Sequence, residues 1–207
     1  MAEAGEADAP QSETASDDED ACAVDPSNSL SAGVSVAQSV ARVEPLVMAS
    51  DFAGMDMLAF AVKELGYPSL HLFASENNAD AQAFLRQNHA YVTLYSDVRV
   101  RPLHGYPCRV EVYGAGPPCQ GLSSAGLRLE MADARTHLYA EALRFICEHK
   151  PKCLFIENVG RLLSVDDSAL LNEIVQRLEM AGYHVWHRIL NARCFGVPQN
   201  RPRAYIV

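Results

Sequence analysis

The chain has 207 residues, 49 % of them hydrophobic, and a net charge of −9, enough sequence for one domain with a real core. Residues 1–41 hold nine acids and no Lys or Arg, so the remainder balances 17 acids against 17 bases. The neutral body offers no strong electrostatic grip on a polyanion, and no apolar run is long enough to cross a bilayer.

Residues 1–44 are rich in Ala, Ser, Asp and Glu and poor in large apolar side chains. Such a segment cannot bury enough surface to offset its ordering entropy, so a disordered acidic tail is expected there. It lacks the charged and apolar regions of a signal peptide, and a protein that is not secreted is expected. Residues 45–207 are expected to form the folded domain. "PLVMAS" (45–50) reads as a buried strand and "MDMLAFAVKELG" (55–66) as a helix closed by Gly66. "SLHLFAS" (69–75) is a second strand, "NADAQAFLRQNH" (78–89) a helix and "AYVTLYS" (90–96) a third strand. "RVEVYGA" (109–115) is a fourth, followed by the turn-rich "GPPCQGLSSAG" (116–126). A helix over 133–150 starts at an Asp N-cap and ends on His and Lys, which suits its dipole. "KCLFIEN" (152–158) is a fifth strand, 166–182 a helix, and 183–192 and 203–207 the last two strands.

Strands alternate with helices, and the strands are mostly continuous apolar runs. That predicts an α/β domain with a doubly wound, mostly parallel sheet. The six cysteines form no CxxC pair and read as reduced thiols of an intracellular protein. No metal site is expected: His184 and His187 lie three apart in a strand-like run and face opposite ways.

Ligands of such sheets bind at the carboxyl ends of the strands. Polar or reactive residues gather there: "SDFAGMD" (50–56), Glu76, Asp97, Cys119, and Glu157 with Asn158. A Gly-containing turn lets the backbone approach a ligand. An acid ending the next strand can accept from two ribose hydroxyls, and a further acid can accept from an adenine amino group. "GAGPPCQG" is a poor pyrophosphate loop, because its prolines lack N–H donors. Cys119 and Glu157 are one strand–helix–strand crossover apart. On neighbouring strands they would stand about 5 Å apart. A carboxylic acid does not activate a thiol as histidine does. The pair makes sense if the thiolate adds to an electron-poor ring while the acid protonates a ring nitrogen.

"GPPCQGLS" (116–123), "ENV" (157–159) and "VPQNRPRAYIV" (197–207) resemble the DNA cytosine-5 methyltransferases, with "DFAGMD", Glu76, Asp97 and "DARTHL" (133–138) in the expected order. The resemblance covers about residues 45–207 and implies a Rossmann-like class I fold using S-adenosyl-L-methionine. It implies Cys119 as nucleophile at C6 of cytosine, Glu157 as proton donor to N3, and Arg201 and Arg203 at O2. Gln120, Asn158 and Gln199 would position the substrate; Phe52, Gly54, Glu76, Asp97 and Pro117 would line the cofactor site. The target base must leave the helix stack. Where the family's first motif reads F-x-G-x-G-G, this chain has "FAGMDM". Asp56 and Met57 replace two glycines, and Asp56 adds an acid where the methionine carboxylate is expected. The apolar strand at the end of the chain suggests a C-terminally truncated domain without its target-recognition lobe and late motifs. The expected partner is DNA, with tRNA as the alternative substrate and a catalytically incomplete relative as the third reading. The acidic tail points to the nucleus, or otherwise the cytoplasm.

Overall fold

A computed structural model of the protein describes residues 44–118, 134–163 and 168–207. Seven strands form one sheet: β1 (Leu46–Asp51), β2 (Ser69–Ser75), β3 (Tyr91–Tyr95), β4 (Val112–Ala115), β5 (Cys153–Val159), β6 (His187–Asn191) and β7 (Pro202–Ile206). Their order is β3-β2-β1-β4-β5-β7-β6. All pairings from β3 to β5 are parallel, and β7 runs antiparallel to both β5 and β6. The predicted doubly wound, mostly parallel sheet is therefore the observed one. The acidic tail expected over 1–44 falls, except for Glu44, outside the described residues.

The helices are α1 (Met57–Glu64), α2 (Ala79–Asn88), α3 (Ala134–His149) and α4 (Ser168–Met180). The main core joins the sheet to α3 and α4 through Phe73, Tyr113, Phe145, Ile146, Leu154, Ile174, Leu178 and Ile206. Each fully buried aromatic or aliphatic side chain of this kind contributes about 1.5–3 kcal/mol. Ala59 and Val62 of α1, Leu85 of α2 and Met48 of β1 are buried outside that cluster, and the rings of Phe60 and Phe84 link the two helices at 6.3 Å. A register shift between Met48 and Ala49 makes Leu72 the extra residue of β2.

The elements that carry the site begin and end for local reasons. Asn78 caps α2 by accepting from Ala81 N (2.9 Å). Gly66, at φ +76°, turns the chain after α1, a conformation that costs glycine little. The strand predicted over 183–192 is shorter: β6 spans His187–Asn191, and Tyr183 and Val185 pack against the core ahead of it. Among the described cysteines, Cys108, Cys147 and Cys153 are free.

Candidate active site

The carboxyl edge of the sheet starts with an unusual turn. After β1, Phe52 (φ 55°), Gly54 (φ 54°) and Asp56 (φ 50°) all adopt positive φ. Bonds to β2 hold this turn: Ala53 N donates to Ser75 O (3.0 Å), and Gly54 N donates to Glu76 Oε2 (2.8 Å). The other oxygen of Glu76 accepts from Asn78 N (2.8 Å). An ionised carboxylate has about four acceptor directions, so Glu76 is fixed in place with capacity left for a diol.

Asp97 ends the next strand as expected, but it already has a partner. Its Oδ1 accepts from Arg99 N (2.8 Å) and Nε (2.9 Å), and its Oδ2 from Arg99 Nη2 (2.6 Å). These bonds hold the Asp97 carboxyl below its ordinary range. Arg99 itself is mostly exposed, and sequence reasoning did not single it out.

Asp56 does not face the cleft, contrary to the expectation that it adds an acid near a bound methionine carboxylate. Its carboxylate is buried and caps α1, Oδ1 accepting from Ala59 N (3.2 Å) and Ser50 Oγ (3.1 Å). Its Oδ2 accepts from Tyr91 OH (2.9 Å) and lies 3.6 Å from His71 Nδ1. Burial, then the Asp56 charge, pushes the Tyr91 hydroxyl well above its ordinary pKa. The neighbouring Met57 is exposed. In this chain the glycine position of the motif is a helix cap.

On the other side of β1, β4 and β5 pair as neighbours, as the placement of Cys119 and Glu157 required. Gly116 N donates to Asp51 O (3.2 Å). A Cβ on Gly116 would lie 3.4 Å from Phe52 O and 3.9 Å from Glu157 Oε2. The backbone opening the Pro-Pro loop is thus bonded to the end of β1 and leaves a side-chain-sized space between the β1 turn and the β5 acid. Cys119 and Gln120 follow Pro118 directly in the chain and lie outside the described residues. Asn158 is buried; its Nδ2 donates to Pro117 O (3.0 Å) and to the Tyr139 hydroxyl, and its Oδ1 accepts from Val159 N (2.7 Å).

Glu157 Oε1 lies 3.0 Å from Arg203 Nε, a partly exposed ion pair across β5 and β7. Burial, then the Glu157 charge, raises the pKa of the adjacent Tyr205. Arg201 and Gln199 are exposed in the connection before β7. That connection is pinned by Asn191, which sequence reasoning missed. Its Oδ1 accepts from Arg201 N (3.0 Å) and its Nδ2 donates to Asn200 Oδ1 (2.7 Å). Phe52, Gly54, Glu76 and Pro117 therefore line one continuous edge with Glu157, Asn158 and Arg203.

The family profile for C-5 cytosine-specific DNA methylase matches residues 47–207. The chain belongs to this family. The Type II methyltransferase M.NlaX of Neisseria lactamica is 33 % identical over 156 residues, which cover 75 % of this chain and 50 % of M.NlaX. M.HpaII of Haemophilus parainfluenzae is 36 % identical over 159 residues, covering 75 % of this chain and 44 % of M.HpaII. The chain thus spans about half the length of the curated relatives it matches. Both of these relatives are bacterial and lend the nuclear expectation no support. The methyltransferase fold is also that of S. pombe Dnmt2, with a TM-score of 0.59, 19 % identity and coverage of 78 % of this chain and 48 % of that one. The methyl donor that the family implies is S-adenosylmethionine. Among the described residues, no helix is long and apolar enough to cross a membrane.

Proposed function

We propose that this chain is the catalytic half of a DNA cytosine-5 methyltransferase. The observation that carries this reading is the nearness of three elements: Gly116 N bonds Asp51 O at the head of the β1 turn, a Cβ at Gly116 would stand 3.4 Å from Phe52 O and 3.9 Å from Glu157 Oε2, and Arg203 pairs with Glu157. This brings the start of the cysteine loop, the cofactor turn and an acid–arginine pair to one point.

The donor set fits S-adenosylmethionine. Positive φ at Gly54 leaves open space where a Cβ would stand, and Glu76 offers an anchored carboxylate for the ribose hydroxyls. Phe52, Gly54, Glu76, Asp97 and Pro117 would hold it, Asp97 reaching the adenine amino group if Arg99 yields. When bound, the cofactor supplies the electrophilic methyl group that an activated C5 carbon takes.

The chain's own residues do the rest. The Cys119 thiolate adds to C6 of the flipped cytosine, so the ring's electron density moves toward C5 and N3. Glu157 places a proton at N3 and keeps negative charge from accumulating on the ring. Arg203, aided by Arg201, holds O2 with a fixed positive charge. The same arginines favour the thiolate form of a nearby cysteine. Asn158 holds Pro117 and so aims the loop, while Gln120 and Gln199 orient the base. Loss of the C5 proton with expulsion of Cys119 releases 5-methylcytosine.

The test is mechanism-based trapping with S-adenosylmethionine and duplex DNA containing 5-fluorocytosine, with tRNA carrying the same base in parallel. Fluorine at C5 blocks the final proton loss, so a denaturation-resistant adduct is expected with DNA and not with Cys119→Ser. An adduct with tRNA alone would reassign the substrate. A folded protein giving neither adduct would refute activity of this chain.

A further inference from the structure

The methyl-transfer chemistry leaves a buried ion pair, Asp51 with Arg101, without a role. Asp51 is 0 % exposed at the end of β1, and its carboxylate meets three elements at once. Oδ1 accepts from Ser75 Oγ (2.6 Å) at the end of β2 and from Arg101 Nε (3.0 Å) in the β3–β4 connection. Oδ2 accepts from Tyr113 OH (2.5 Å) in β4 and lies 2.9 Å from Arg101 Nη2. Arg101 is equally enclosed. Its guanidinium stacks over the rings of Phe145 (4.6 Å) and Phe73 (5.3 Å), and its Nη2 reaches Glu141 O (3.5 Å) on α3.

Each group that Asp51 holds lies within four residues of a candidate ligand-binding residue: Glu76, Asp97 or Pro117. Ser75 precedes Glu76. Arg101 closes the short 3-10 turn Val98–Val100 that Asp97 opens, its N–H donating to Val98 O. Tyr113 lies three residues before Gly116, whose N–H returns to Asp51 O (3.2 Å). Asp51 itself precedes Phe52. A buried ion pair is a poor source of net stability, because apolar side chains of similar volume commonly do as well or better. Its advantage is direction: a bidentate guanidinium–carboxylate contact fixes angle as well as distance.

We propose that Asp51 and Arg101 are positioning residues that lock the Glu76, Asp97 and Phe52 segments into the geometry that binds S-adenosylmethionine. This rests on the reading of the cleft as the cofactor site. The pair touches no ligand. It holds the Asp97 turn against the sheet through a rigid fork, where an apolar plug would hold it only loosely.

The decisive experiment compares wild type, Arg101→Lys and the double variant Asp51→Leu/Arg101→Met by urea denaturation and by S-adenosylmethionine calorimetry. The double variant leaves the buried Ser75 and Tyr113 hydroxyls without their acceptor, so its denaturation midpoint is expected to fall; where it remains folded, its cofactor Kd is expected to rise about tenfold or more, since a misplacement of an ångström at a binding site has consequences of at least that order. Arg101→Lys keeps the charge but loses the fork, and is expected to weaken binding several-fold, with faster amide exchange over residues 97–101; it decides the case if the double variant does not fold. An unchanged Kd in Arg101→Lys, or in a folded double variant, overturns the positioning role while leaving the cofactor site standing. A wild-type protein that does not bind S-adenosylmethionine overturns both.

Discussion

Replacing Asp56 by glycine would restore the residue that the family motif expects, yet the structure predicts a loss of stability. The carboxylate accepts three hydrogen bonds, from Ser50 Oγ, Ala59 N and Tyr91 OH. Exchanging a capping side chain for glycine costs only a few tenths of a kcal/mol (about 0.3 kcal/mol). It also relieves the left-handed backbone at φ 50°, a gain of about 1 kcal/mol. Against this, the Ser50 hydroxyl, only 3 % exposed, loses its acceptor, at about 1–3 kcal/mol. Tyr91 loses its acceptor in a half-buried site, at about 1 kcal/mol. The net expectation for Asp56→Gly is a destabilisation of about 1–3 kcal/mol. Asp56→Ala keeps the backbone strain and loses the cap outright, so it is expected to fall about 2 kcal/mol further. Asp56→Asn, which retains both cap and left-handed propensity, should stay within about 1 kcal/mol of wild type. Urea denaturation of the four proteins, fitted with a common slope, measures the series. An Asp56→Gly protein as stable as wild type would refute the reasoning and return Asp56 to the cleft.

Removing the arginine that pairs with Glu157, in Arg203→Ala, is expected to lower the trapping rate about 10²–10³-fold with little change in S-adenosylmethionine affinity, the signature of charge stabilisation in the transition state; equal losses in both would refute that role. Asn158→Ala removes the donor to Pro117 O and one contact of the Tyr139 hydroxyl and should cost about 1–3 kcal/mol, read by thermal unfolding. His71 has its pKa lowered by burial, with Asp56 opposing and His89 reinforcing the shift. Its folded pKa lies below its unfolded value of 6.5, so the stability it contributes is complete above pH 6.5 and is lost as pH falls through the folded value. His71→Leu should flatten the fall in unfolding free energy below pH 6.5, and an unchanged slope would assign that fall elsewhere. Tyr183, raised to about 12 by burial, should give a tyrosinate absorbance step near that pH that moves down on unfolding.

The sheet was legible because its strands are short apolar runs between turn formers. β2 begins after Pro68 and ends before Glu76, as the sequence pattern predicted. Helix α1 starts two residues later than the periodicity suggested, because the cap is a left-handed Asp56 and Met55 belongs to the turn. The strand-end positions of Glu76, Glu157 and Asn158 could be read from alternation alone, since a parallel sheet sends all such ends to one edge. Asp51 and Arg101 could not: they are 50 positions apart, and only the packing of the β3–β4 connection against β1 closes the pair. Asn191 was equally hidden, because an asparagine at a strand end looks like any turn residue until its partners Asn200 and Arg201 fold back onto it. Asp56 was misread for a related reason: its neighbours in sequence are turn residues, but its partners Tyr91 and His71 come from β2 and β3.

The antiparallel insertion of β7 also sets an order of assembly. Among the described residues, β6 occupies the sheet edge and pairs only with β7, which joins it to β5. During synthesis, residues 187–191 would therefore leave the ribosome with no strand to join, and Glu157 would wait beside them without Arg203. Emergence of residues 202–206 resolves both at once: the hairpin slots in beside β5, and its first residues reach the edge where the parallel strands end. The Glu157–Arg203 pair therefore forms only once β7 has joined β5, and a chain whose β7 is undocked lacks that pair at the edge.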